Sequence, residues 1–102
     1  MLPSFRSYQL AVEFYRRVKH QRAPYFLRNQ LLRAASSIAL NLGEGSAKRS
    51  QADRRRFYEF ALGSVRECEA VASLLGDRAL HLREPLDKLA RHVFRLVQSL
   101  NP

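Results

Sequence analysis

Along four stretches of this chain, apolar residues recur every three or four positions, and nowhere do they alternate at every second one. Tyr8, Ala11, Val12, Tyr15 and Val18 form the first stripe. Leu27, Leu31, Ala34, Ile38 and Leu42 form the second, and Phe57, Phe60, Ala61, Ser64, Cys68, Val71 and Leu75 the third. Leu86, Leu89, Val93, Leu96 and Leu100 form the fourth. Such spacing gathers each set on one face of an α-helix and would scatter it over both faces of a strand. Helices striped at this period pack nearly antiparallel. The expected fold is therefore all-α, an antiparallel up-down-up-down four-helix bundle.

The breaks between stripes have their own chemistry. Pro24 disfavours helical geometry at Ala23 and opens the second helix. Gly76 follows Leu75 and suits a C-cap with positive φ. Pro85 fits the first turn of the fourth helix. The longest interruption is Asn41–Phe57, "NLGEGSAKRSQADRRRF". There Gly43 and Gly45 are expected to end the second helix. Ser50 begins the third, with Asp53 three residues on as a capping-box variant. Asn41, Glu44, Gly45 and Ser50 are thus assigned to a structural turn. Glu44 near a helix C-terminus opposes the helix dipole, so a basic group or free backbone N–H groups are expected to hold it.

With 102 residues, 46% of them hydrophobic, the chain can bury a core as a single domain over 1–102. One cysteine, Cys68, allows no internal disulfide. The beginning, "MLPSFRSYQLAV", lacks the pattern of a signal peptide, and no run approaches the roughly 18 apolar residues of a membrane span. A cytoplasmic protein without membrane contact is expected.

Sites for catalysis are poorly supplied. A phosphate-binding P-loop needs adjacent Gly-Lys, but Lys48 follows Ala47, and "GEG" lacks the third glycine of a dinucleotide fingerprint. His20, His81 and His92 form no i,i+4 metal pair, and no glutamate has a histidine three residues later as di-iron bundles require. The Arg-x(4–6)-His motif of helical ribonucleases is missing, which leaves open a pairing distant in sequence. Cys68 lies on an apolar stripe, where a thiol is inert packing. Ser36, Ser37 and Ser64 sit among small residues and have no evident base. No catalytic residue, metal or cofactor is expected.

Charge is the unusual quantity. Eighteen lysines and arginines stand against nine acids, a formal net charge of +9. Such a balance favours polyanionic partners. Glu13–Arg17, Glu84–Lys88 and Asp87–Arg91 have the spacing of i,i+4 ion pairs. Arg16, Lys19, Arg22, Arg28, Lys48, Arg49, Arg54, Arg55 and Arg56 have no comparable partners in sequence. In an up-down bundle they divide between the two ends. Arg16, Lys19, Lys48, Arg49, Arg54, Arg55 and Arg56 are the candidate nucleic-acid contacts. Tyr15, Tyr25 and Tyr58 lie nearby, suited either to packing or to stacking on bases.

"LLRAASSIALNLGEGSAKRS" followed by "RRFYEFALGSVRECEA" resembles the four-helix-bundle proteins encoded in intervening sequences of bacterial 23S ribosomal RNA genes. Arg33, Ala34, Ala35, Ser37, Ile38, Asn41, Glu44 and Gly45 carry the first half of the resemblance. Phe57, Ala61, Gly63, Ser64 and Glu67 carry the second. Gly43 stands where that family usually has alanine, and Cys68 where it usually has leucine. The resemblance implies a homo-oligomer, a pentamer, without established enzymatic activity. It also implies kinship with the accessory variability protein of diversity-generating retroelements, which binds a reverse transcriptase and nucleic acid. The expected function is a non-enzymatic basic scaffold for RNA, single-stranded DNA or a protein partner. The rival expectation is a purely structural or protein-interaction module.

Overall fold

Pro24 decides where the second helix starts. With φ −53° and ψ 145° it is the N-cap, and the first helical hydrogen bond runs from Arg28 N to its carbonyl, at 2.9 Å. The computed structural model describes residues 3–100. It contains α1 (Pro3–Val18), α2 (Tyr25–Ala47), α3 (Gln51–Leu75) and α4 (Arg83–Gln98), with a 3-10 segment, Gly76–Leu82, between the last two. Ser50 opens α3 as its spacing predicts, its Oγ accepting from Asp53 N at 3.1 Å. Gly76 closes α3 at φ 62°, a region that costs side-chain-bearing residues dearly, with its N–H on the Ala72 carbonyl. Pro85 lies in the first turn of α4.

The two glycines of the interruption do not end α2. The helix runs through Gly43 and Gly45 to Ala47, and Lys48 caps it with a 3.1 Å bond from its N–H to the Gly45 carbonyl. The turn is therefore Lys48–Ser50. Gly45 is buried because α2 and α3 converge there, not because the backbone needs glycine's freedom. Asn41, also assigned to the turn, is likewise helical and bonds back to Ser37.

Each helix packs on the helices before and after it, and α4 closes the ring against α1. α2 and α3 form the most extensive pair. The result is a compact bundle of four helices, 40 × 21 × 20 Å. Phe14, Leu31, Ile38, Leu42, Leu89 and Val93 form its centre. Full burial of each such side chain is worth about 1.5–3 kcal/mol. The 3-10 segment adds Ala79 and Leu82 to this core.

Two stripes are shifted from the expected register. In α1 the core face is Leu10, Ala11, Phe14 and Val18, whereas Tyr8 is exposed and Val12 and Tyr15 are half-buried. Both registers have helical spacing. Packing against the other helices selects Leu10–Phe14–Val18, which share their buried face with Ser7, over Tyr8–Tyr15. In α3, Tyr58 takes the core position, its hydroxyl 3.2 Å from Ser46 Oγ. Phe60 is displaced to the surface, 53% exposed, and Phe57 is half-buried. The stripes of α2 and α4 are buried as their spacing predicts, with Leu27 and Leu100 at the rim.

One polar layer crosses the apolar interior between α2 and α3. Ser64 Oγ donates to Ser37 Oγ at 2.8 Å, and Asn41 Nδ2 donates to Ser37 Oγ at 3.0 Å and to the Ser37 carbonyl at 2.9 Å. The small serines let the helices approach, and their hydroxyls satisfy one another.

Candidate nucleic-acid interface

Antiparallel packing of α2 and α3 puts Lys48, Arg49, Arg54, Arg55 and Arg56 at one end of the bundle. The turn itself is tied by an arginine: Arg54 Nε donates to the Lys48 carbonyl at 2.6 Å. This charge-assisted bond takes up a carbonyl that the end of α2 leaves without a helical partner. Phe57, in the second turn of α3, lies between two cations. Lys48 Nζ and Arg56 Cζ each stand 5.1 Å from its ring centre, and Phe60 meets the ring edge-on at 5.8 Å.

Three of the cations read as partnerless have acidic neighbours. Lys48 Nζ is 3.5 Å from Glu44, which supplies the basic group expected to hold that glutamate. Arg56 is 3.8 Å from Asp53. Arg55 Nε is 3.0 Å from Glu59 Oε1, in ion-pair contact but without an aligned hydrogen bond. The Arg55–Glu59 spacing was legible as i,i+4, though in the less favourable order. All three pairs are substantially exposed, where such contacts are worth about 0–1 kcal/mol and yield readily to another anion. Arg49 is exposed and forms no ion pair among the described residues. The pairs expected at Glu13–Arg17, Glu84–Lys88 and Asp87–Arg91 do not close; Arg66–Glu69, at 2.9 Å, does.

Arg16 and Lys19 lie at the far end of the bundle, exposed at the close of α1. Arg28 is there too, its guanidinium on the Lys19 carbonyl at 2.9 Å. The seven candidate contacts therefore make two separated groups, as an up-down topology requires. Of the nearby tyrosines, Tyr58 is buried, Tyr15 is half-buried and Tyr25 is 81% exposed. Stacking on a base is thus open to Tyr25 and closed to Tyr58.

Among the described residues, no group of three or more histidine, cysteine, aspartate or glutamate side chains is placed to hold a metal ion. No described helix is long and apolar enough to cross a membrane. Cys68 is buried and free, its thiol pushed up to about 12 by burial and then by the charges of Glu67 and Glu69. Such a thiol is a poor nucleophile.

A solved structure described as a protein of unknown function from the S23 ribosomal protein family of Bacteroides thetaiotaomicron VPI-5482 has a similar fold. It superposes with a TM-score of 0.64 at 24% identity, over 97% of this chain and 94% of that one. No curated protein matches the sequence. The model of the 23S rRNA-intervening sequence protein family matches residues 5–102. With a match over nearly the whole sequence, on a bundle of the expected topology, the chain belongs to the 23S rRNA-intervening sequence protein family.

Proposed function

We propose that this protein is a non-enzymatic, basic, oligomeric scaffold that binds RNA or single-stranded DNA through the α2–α3 turn. The observation that carries the reading is the gathering of Lys48, Arg49, Arg54, Arg55 and Arg56 at one end of the bundle, where Glu44, Asp53 and Glu59 are their ion-pair partners among the described residues. Exposed ion pairs hold these side chains loosely, so phosphates can displace the carboxylates at little cost. Positive charge at the start of α3 is unfavourable beside the helix dipole, and a phosphate there relieves it. Arg16 and Lys19 are a second, weaker contact at the opposite end. A ring of copies, the pentamer implied by the resemblance, repeats the basic turn and raises avidity. A reverse transcriptase is the protein partner that the resemblance brings. The deciding experiment is binding of RNA and single-stranded DNA between about 50 and 200 mM salt, where phosphate contacts give a steep salt dependence.

One observation favours the structural alternative. Leu40 of α2 and Phe60 and Leu74 of α3 are 68%, 53% and 72% exposed. Apolar side chains of this size on the outer faces of a helix pair suit a protein contact. Under that reading, sedimentation detects association and no salt-sensitive binding accompanies it.

A further inference from the structure

Phe60 contributes little to the core. Tyr58, Ala61 and Val65 hold the buried positions on this part of α3, which turns Phe60 outward at 53% exposure. Its neighbours are what set it apart. Phe57, one turn earlier, meets it at 90° with the ring centres 5.8 Å apart. Phe57 in turn has Lys48 Nζ and Arg56 Cζ each 5.1 Å from its own ring centre. Lys48 comes from the turn after α2 and Arg56 from the second turn of α3, so two positive charges from different elements converge beside one exposed ring.

The arrangement is anchored by packing. The Cβ of Phe57 lies 3.2 Å from where a Cβ on Gly45 would stand, so this side chain is seated against α2. Its ring faces attract the two cations. Glu44 reaches Lys48 at 3.5 Å and Asp53 reaches Arg56 at 3.8 Å, both through exposed pairs that another anion can replace at little cost. The surface therefore offers two loosely held cations beside a more than half-exposed phenyl ring, on a helix whose opposite face is locked into the core. Single strands are bound by this combination, with cations on the backbone and a ring under the base.

We propose that Phe60 is the base-stacking residue of the basic turn, and that the ligand of the turn is nucleic acid with unpaired bases. The inference rests on the reading of the turn as a polyanion contact and adds what that reading lacks, a group that senses bases. A phosphate takes the place of Glu44 or Asp53 at Lys48 and Arg56, and a base of the same strand lies on Phe60. Bases inside a duplex are stacked on their neighbours and have no face to offer, whereas unpaired bases do. The rival occupant of Phe60 is a second copy of the chain. It would bring a net charge of +9 toward Lys48 and Arg56, whereas a strand brings phosphates.

The test compares the full chain with its Phe60→Ala and Phe60→Trp variants. The probes are single-stranded RNA, single-stranded DNA of the same sequence, its duplex, and an abasic strand of equal length, titrated between about 50 and 200 mM salt. Wild type is expected to bind the intact single strands at least about fivefold more tightly than the abasic strand. Phe60→Ala is expected to remove that difference while leaving duplex affinity, abasic-strand affinity and the salt slope unchanged, because no phosphate contact is lost. The chain has no tryptophan, so Phe60→Trp introduces its sole indole. Its emission is expected to be quenched by intact single strands and not by the abasic one. The RNA and DNA strands are both expected to show these effects, since the ring touches the base and not the sugar. Steep salt dependence without a preference for intact strands, an unchanged Phe60→Ala protein, or an unquenched indole each overturns this proposal and leaves the polyanion reading standing. Loss of self-association in Phe60→Ala, with strand affinity unchanged, overturns it in favour of the second copy. Failure of wild type to bind any strand overturns both readings.

Discussion

A Cβ added to Gly45 would lie 2.5 Å from Cε1 and 2.7 Å from Cδ1 of Tyr58. The two residues sit where α2 and α3 come closest to the turn, and the Tyr58 ring is buried and tied by its hydroxyl to Ser46. Glycine is needed at position 45 for space. Gly43, two residues earlier and on the exposed side, has only Tyr8 Cε1 nearby, at an ordinary 3.8 Å.

Alanine should therefore act in opposite directions at these positions. Gly45→Ala forces the Tyr58 ring to move, and overpacking of about 1–3 kcal/mol outweighs the helix-propensity gain of up to about 1 kcal/mol. Gly43→Ala keeps the gain and should stabilise by about 0.5–1 kcal/mol. Urea unfolding of both variants checks this. A stabilised Gly45→Ala protein would show that the contact with Tyr58 is not tight.

Glu44→Gln removes one exposed ion pair, with Lys48. The expected loss is no more than about 0.5 kcal/mol, because solvent screens the pair. A fall in thermal midpoint well beyond that would mean that Glu44 is held by something more than Lys48, such as a neighbouring copy of the chain.

Ser64→Ala should cost about 1 kcal/mol through its lost bond to Ser37. Ser37 Oγ still accepts from Asn41, so it is not orphaned. Asn41→Ala removes the other half of the layer. A double-mutant cycle between Ser64→Ala and Asn41→Ala should give a coupling of about 0.5 kcal/mol or more. Strict additivity would mean that the two bonds to Ser37 act independently.

Cys68 makes a pH-dependent contribution whose sign follows from burial. Its folded thiol holds its proton up to about 12, against 9.0 for the ordinary value. Above 9.0 the unfolded chain binds fewer protons than the folded one, so this contribution is complete below 9.0 and is lost as pH rises toward about 12. The stability advantage of wild type over Cys68→Ala should shrink over that interval and stay constant below it. A thiol reagent should label Cys68 only on unfolding; prompt labelling of the native protein would contradict its burial.

The basic turn gives a prediction that the structure itself refines. Arg54 ties the turn through the Lys48 carbonyl, so Arg54→Ala mixes folding with binding. The cleaner variant combines Arg49→Ala, Arg55→Ala and Arg56→Ala. It should keep the fold, lower affinity for single-stranded RNA, and flatten the salt slope by about 0.7 for each phosphate contact removed. An unchanged slope would assign these arginines to solvation alone.

The four helices were legible because every turn of an amphipathic helix repeats the same apolar signal, and Pro24, Ser50 and Gly76 mark their ends by local stereochemistry. The separation of the basic residues into two ends was legible too, since short connections enforce alternation. Local signals failed where two answers had the same period or the same residue served two purposes. Leu10–Phe14–Val18 and Tyr8–Tyr15 are both helical faces, and only packing against the other helices selects between them. Gly45 in sequence is indistinguishable from a helix terminator; the approach of Tyr58 from α3 makes it a contact.

The candidate site was divided in the same way. Its charge and its address at the α2–α3 turn are properties of the sequence, because five cations lie within nine consecutive residues, 48–56. Their partners depended on side-chain reach: Arg55 to Glu59, Arg54 to the Lys48 carbonyl, Phe57 between Lys48 and Arg56. The exposure of Phe60 had no signature along the chain at all. Its spacing is that of the buried stripe, and only the packing of Tyr58 into the core turns it to the surface beside Phe57. Sequence determined the helices, their order and where charge accumulates, since these follow from neighbours a few residues apart. Tertiary structure decided which face is core, which glycine is a contact and which aromatic ring stays at the surface, since these depend on residues that meet only in the packed bundle.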